Sequence, residues 1–321
     1  IVQLSLLIFM KSTYIKLFFA LIASAVMFSC EDVVYPELEN ADPVYVVDAW
    51  ITNTAGPQVV RLTRTQPYFE NVLPPGVPNA TVTVETIGGG TVYTFAESGE
   101  TGVYVWTPVG NESFGEVGKE YRLTITVGTD VLVSESDMSG APVVDSITFN
   151  MQRGTSIMDD MYFAEFWSTD LEPVGDAYWI KTYKNGELLN KPSDINLAYD
   201  AAFSRGGEFS GVMFITPIRT SVNPFDEAED GTILSPYVVG DSLYVEINSL
   251  SEAAFDFLTE VQIQTDRPGG FGELFATPLA NVPTNITNTT PGGTKAVGFF
   301  NVAAVTGNGR KFKSLDEKIR V

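Results

Sequence analysis

From Tyr121 to Val127 the chain alternates without a break. Tyr121, Leu123, Ile125 and Val127 carry one parity, and Arg122, Thr124 and Thr126 carry the other. A period of two sends these sets to opposite faces of a strand, whereas a helix would scatter both around its circumference. Val82 and Val84 alternate in the same way with Thr81, Thr83 and Glu85, and residues 45–52, 59–65, 91–96, 102–106 and 131–136 extend the series to about seven short strands. Turns rich in Gly, Pro, Asn and Ser separate them. Gly88, Gly89 and Gly90 lie between two polar strands and not before a helix, so they read as a hairpin turn and not as a phosphate-binding loop. Residues 44–140 are therefore expected to form an immunoglobulin-like or fibronectin-like β-sandwich.

Pro142 opens a second region, residues 141–306. Strands are expected over 143–151, 161–167, 177–183, 211–217, 242–248 and 297–305, with long polar loops between 185 and 231. One helix stands out near 250–264. Ser249 is read as its N-cap, with Glu252 three residues on to complete a capping box. Ala254, Phe257, Leu258 and Val261 then recur at helical spacing, and Arg267, Pro268, Gly269 and Gly270 stop the helix. Residues 307–321 read as a charged, frayed tail. The expected fold class is mainly β, a sandwich domain followed by a second β-rich domain containing one helix.

The N-terminus reads as a targeting segment. Met10 precedes Lys11 and Lys16, then an apolar run over residues 17–28, then Ser29 and Cys30. A run of twelve residues is too short to span a bilayer and fits the middle of a signal peptide. Residues 1–29 are read as that signal, with 1–9 as an over-extended gene start. The only cysteine of the chain then falls directly after the cut, a position that resembles a lipobox and marks Cys30 as the lipidation site. Residues 30–43 would be the tether that joins the lipid to the first strand.

Absences narrow the chemistry. The chain has no histidine, which excludes Ser-His-Asp triads and His-ligated zinc. With its one thiol committed to lipid, disulfides and thiolate chemistry are excluded too. Removing residues 1–29, which hold Lys11, Lys16 and no acid, leaves 17 basic and 40 acidic side chains, a net charge of −23. Such an excess repels nucleic acid and anionic membrane surfaces. Carboxylate or Ser-Lys chemistry is what remains, and a non-enzymatic protein is expected, with no cofactor. Calcium is the one ion the composition suits.

A few residues invite a functional reading. Trp106, Trp167, Tyr178 and Trp179 could form an aromatic platform for glycan or peptide, although filling a core is the plainer role. Asp226, Glu227, Glu229 and Asp230 make the densest acid cluster. Oxygen-rich loops suit calcium, but the alternating ligand spacing is missing and a solvated loop is expected. Ser146 and Ser242, each in an Asp-Ser-apolar tripeptide, match the pattern of bacterial O-glycosylation sites. Asp48, beside Trp50, is expected to pair with Arg61 or Arg64 of the next strand.

Several segments, in order, resemble the Bacteroidota lipoprotein family called domain-of-unknown-function family 4249. They are the run Val46 to Thr52, then Val60 to Thr63 and Tyr68, Asn79 to Val82, Gly102 to Tyr104, Gly118 to Leu123, Pro142 to Ile147, Tyr178 with Trp179, Asn281 to Ile286, and Gly298 to Phe300. The chain departs from the family pattern at Ala49, which stands where glycine is expected. The resemblance implies an outer-membrane lipoprotein, often encoded beside TonB-dependent receptors, and the acids Glu31 and Asp32 directly after Cys30 resemble a weak signal for export to the cell surface. It implies no reaction and no catalytic residues.

The expected function is thus a membrane-anchored accessory or ligand-capture subunit of a TonB-dependent transport system, with the receptor as partner and a small-molecule, glycan or peptide ligand. The alternatives are a stand-alone surface adhesion or structural protein that binds glycan or matrix polymers, and a carboxylate-dependent glycan hydrolase.

Overall fold

The computed structural model describes residues 41–315, apart from residues 68, 111, 155–159, 173 and 207–208. The signal segment, Cys30 and nearly all of the expected tether lie outside the described residues, as does the end of the C-terminal tail. From Pro43 onward the chain forms one compact unit.

Seven strands follow the alternation: β1 (Tyr45–Thr52), β2 (Gln58–Arg64), β3 (Thr81–Thr86), β4 (Val92–Glu97), β5 (Val103–Trp106), β6 (Glu120–Val127) and β7 (Asp130–Asp137). In β6 the residues Tyr121, Leu123 and Ile125 are buried and the threonines between them are half-exposed. The triple-glycine segment is the β3–β4 turn, closed by a hydrogen bond from Thr86 N to Thr91 O at 3.1 Å.

Two strands from much later in the chain complete this sheet. β14 (Thr287–Asn288) pairs with β7, and β15 (Ala296–Ala303) runs parallel to β1 from Tyr45↔Ala296 to Thr52↔Ala303. The order is β14-β7-β6-β3-β4-β5-β2-β1-β15. The sheet curls far enough that Val302 N, on one edge strand, donates to Ser136 Oγ on β7 at 3.0 Å. One core fills it, including Ile51, Leu62, Val84, Tyr104, Tyr121 and Phe300. Gly298 is required where β15 meets β1. Its φ is +97°, and a Cβ there would lie 2.0 Å from Val47 O. Ala49 sits fully buried opposite Phe300 in a regular part of β1, so the departure from glycine leaves that strand undisturbed.

The second region contains the hairpin β8 (Ser146–Gln152) and β9 (Met161–Trp167), and a sheet ordered β11-β10-β13-β16, with β12 also on β10. Its strands are β10 (Ala177–Lys184), β11 (Glu187–Leu188), β12 (Asn196–Tyr199), β13 (Ser242–Leu250) and β16 (Val305–Lys311). The mainly β class and the single long helix, α1 (Glu252–Thr265), are as expected. Among the described residues no helix is long and apolar enough to cross a membrane.

Three local expectations are corrected. The N-cap of α1 is Ser251, whose side chain accepts from Ala254 N at 3.2 Å. Ser249 is instead buried at the end of β13, where its Oγ accepts from Ala304 N at 2.9 Å. Residues 211–217 are not a strand. Only an isolated bridge from Met213 to Thr169 forms, and Thr216–Arg219 makes one helical turn, because Pro217 lacks the ladder donor and suits a first helical turn. The stretch from Gly307 to Lys311 is not frayed, since β16 pairs with β13 from Asn248↔Val305 to Ser242↔Lys311.

Candidate functional site

A recess lies between α1, β12 and the turn that follows β12. β12 pairs with β10 and buries Leu197 and Ala198. The chain then reverses at once, with Tyr199 and Ala202 exchanging backbone hydrogen bonds at 2.7 and 3.1 Å. Asp200 makes the reversal at a φ of +50°, a conformation that aspartate tolerates better than most residues. Its Oδ1 accepts from Gly175 N at 2.7 Å and Asp176 N at 3.1 Å, which fixes the turn. The following residues, Phe203 to Arg205, are carried back toward the face of α1 that presents Phe255, Asp256 and Thr259.

The result is a groove of about 530 Å³, floored by Leu197 and Phe255 and rimmed by Phe203, Arg205, Thr259 and Gln262. That volume falls in the range of small-ligand sites. Arg205 is its distinctive group. The guanidinium lies 2.8 Å from Asp256 Oδ1 and 3.2 Å from Glu252 Oε1, with its carbon 5.2 Å from the centre of the Tyr199 ring and 5.8 Å from that of Phe255. Exposed ion pairs of this kind contribute little to stability, so Arg205 can exchange its carboxylates for a ligand at small cost. An apolar floor beside a forked donor suits a ligand with one flat apolar face and a polar edge. A second recess, about 390 Å³, lies along the β16 edge and is lined by Gly309, Arg310, Lys311, Lys313 and Ser314.

The four aromatic candidates are scattered. Trp106 packs edge-on against Tyr93 and Phe114 on the first sheet. Trp167 donates from Nε1 to Thr148 Oγ1 at 3.1 Å and carries the Arg219 guanidinium 4.4 Å above its ring. Alternation along β10 sends Tyr178 and Trp179 to opposite faces. Trp179 meets Trp50 edge-on at 5.6 Å and Lys181 at 4.3 Å. Tyr178 is fully buried and presents no face to a ligand. No ring contact joins any two of the four.

Among the described residues no group of three or more acids is placed to hold a metal ion. In the acidic loop, Asp226 Oδ1 accepts from Lys191 Nζ at 2.5 Å, and Asp230 Oδ1 accepts from Thr232 N at 3.0 Å. Glu227 forms a bridge with Ile233, which makes the segment a small turn. Glu229 lies in the same turn. Ser146 is exposed at the first residue of β8, and Ser242 is half-buried at the start of β13, where its N donates to Asn185 Oδ1 at 2.9 Å. Asp48 stands directly across from Arg61 in the β1–β2 register. Both side chains are exposed. Cys30 lies outside the described residues.

A buried acidic cluster escaped the sequence reading. The Tyr178 hydroxyl donates to Asp170 Oδ1 at 2.7 Å, while Asp170 Oδ2 is buried without a hydrogen-bond partner. Burial pushes the Asp170 carboxyl up to about 6, with Asp200 and Asp176 adding repulsion. Asp170 lines neither recess. An aspartate in a loop carries no periodic signal, and the turn at Asp200 that brings the acids together is a tertiary feature. Arg205 and Phe255 were invisible for the same reason, since the helical stripe pointed to Phe257 and Val261.

No curated protein sequence matches the chain. The family described as Domain of unknown function (DUF4249) matches residues 31–308, most of the 321-residue chain, and the protein belongs to that family.

Proposed function

We propose that the protein is an outer-membrane lipoprotein, anchored through Cys30, that acts without catalysis as an accessory or ligand-capture subunit of a TonB-dependent transport system. The observation that carries the capture role is the groove at Arg205. It pairs an apolar floor with an exchangeable guanidinium, which engages both Glu252 and Asp256. A lipid anchor holds the groove beside a transporter at high effective concentration, where even weak capture matters. The transporter comes from the family resemblance and the anchor from the signal pattern.

The test is a mild-detergent pull-down of the tagged, full-length protein from native outer membranes, with mass spectrometry of what accompanies it. A stoichiometric TonB-dependent receptor is expected. The lipidated protein alone would overturn the accessory role and favour a stand-alone surface binder, whose groove would suit the apolar face of a sugar.

A further inference from the structure

Two apolar loops emerge at the end of the molecule where the chain enters from Cys30. The first follows β2. Arg64, its last residue, pairs with Tyr45, the first residue of β1, and Thr65 and Val44 exchange hydrogen bonds at 3.0 Å. This loop presents Val72 and Leu73. The second follows α1, which runs antiparallel to β15. Ser251 N, at its start, donates to Asn301 Oδ1, Phe257 packs on Phe299, and beyond the loop Thr284 Oγ1 donates to Gly298 O at 2.7 Å. The helix therefore ends at the level where Ala296 meets Tyr45. This loop presents Phe271, Leu274, Phe275 and Leu279. Leu73 and these four residues are each 73–89% exposed.

Both loops are braced by internal contacts. Gln66 Nε2 donates to Glu70 O at 3.0 Å and Val72 O at 2.7 Å. Arg267 pairs with Glu273 and donates to Thr277 O at 2.9 Å, and Ala280 N donates to Gln264 Oε1 at 3.0 Å. They also carry few charges. Residues 65–76 contain one charged side chain, Glu70, and residues 266–286 contain three, Asp266, Arg267 and Glu273, the last two paired with each other, in a chain of net charge −21. Single exposed apolar residues need no explanation, but two braced apolar loops at one end mark an interaction surface.

We infer that this end is a contact surface for the lipid bilayer, with the loop tips seated at the boundary between headgroups and acyl chains. The inference rests on the lipid-anchor reading of Cys30. Thirteen residues separate Cys30 from Val44 and span at most about 50 Å, so an anchored body stays next to the membrane. Glu97 and Glu100 of the β4–β5 turn are exposed at the same end, so it is the two loop tips, and not the whole end, that are low enough in acid to approach the bilayer. Leucine and phenylalanine at such tips gain by leaving water, and the anchor removes most of the entropic cost of arrival.

The test uses the full, lipidated chain in vesicles of phosphatidylethanolamine and brominated phosphatidylcholine. Leu73→Trp and Phe275→Trp report from the two loops. Val109→Trp reports from the opposite end, beyond Trp106, which pairs with Gln58 at the far end of β2. Blue-shifted emission and quenching by the brominated chains, relative to unbrominated vesicles, are expected at 73 and 275 and not at 109. Vesicle-bound protein without quenching at 73 and 275 would overturn the inference and leave the anchor reading intact. Quenching that is absent, with emission shifts that appear only on adding a β-barrel receptor, would overturn it in favour of a protein socket. An unacylated mature N-terminus by mass spectrometry would overturn the anchor reading itself.

Discussion

In the first sheet, the hairpin-linked strands from β1 to β7 send alternate side chains into one core, whereas the central strands of the second region are packed on both faces. β6 reads exposed, buried, half-buried, buried along its length, but in β13 the run Ile247 to Leu250 is buried without interruption. β15 behaves like β13, with every residue from Phe299 to Ala303 buried. The cause is layering. One side of the second sheet faces the core of Phe149, Phe214 and Tyr237, while Ala177 and Leu250 turn to the cluster under α1 with Leu258 and Phe299. A strand with water on one side records its orientation in its sequence, and a strand between two layers does not.

The strongest way to break this comparison is to attack the strand the two regions share. Phe300 lies in the core of the first sheet, yet β15 leads within two residues into β16 of the second. Phe300→Ala should cost about 3–5 kcal/mol, the usual range for deleting a buried aromatic ring. If the regions are one cooperative unit, calorimetry will show a single transition moved downward. Two transitions, with only one displaced, would show that the contrast is between separately folding parts.

A smaller effect should separate the regions by pH. Asp170 titrates near 6 in the folded protein and near 4 in an unfolded chain, so the native state holds a proton that the unfolded state has released. The stabilisation is complete below about pH 4 and is lost as the pH rises through about 6. The difference is on the order of 3 kcal/mol. Asp170→Asn, which keeps an acceptor for Tyr178, should flatten the denaturation midpoint between pH 4 and 7. An unchanged slope would mean that the acid cluster is not what makes the second region sensitive to pH.

The smallest effect concerns α1. Ser251→Ala removes its cap and should cost about 1 kcal/mol by chemical denaturation. Ser249→Ala should cost at least as much, because it strands the buried Ala304 N–H. A Ser249 effect with no Ser251 effect would return the helix start to Ser249, the place the sequence suggested.

How much was legible depended on how local the cause was. Strands β1 to β7 and β9, the glycine turn and the existence of α1 follow from patterns within a dozen residues. The cap slipped by two residues because both serines precede Glu252, and only burial separates them. The run 211–217 reads as a strand in sequence, but Pro217 lacks the donor a ladder needs and starts a helical turn instead. The aromatic candidates were identified by type, and type does not reveal that adjacent Tyr178 and Trp179 face opposite layers. The Arg205 groove had no sequence signal at all, since its parts lie about fifty residues apart and meet through the turn at Asp200.

The sequence by itself determined the mainly β class, the first seven strands, the single helix and the family, because alternation, capping and motif order are local properties. Only the tertiary structure decided that β15 would close the first sheet beside β1, that Arg205 would reach α1, and that Asp170 would be buried beside Tyr178. Each of these depends on pairing across long stretches of chain. The free energy of such pairing comes from shared burial in one core and not from the preference of any one segment.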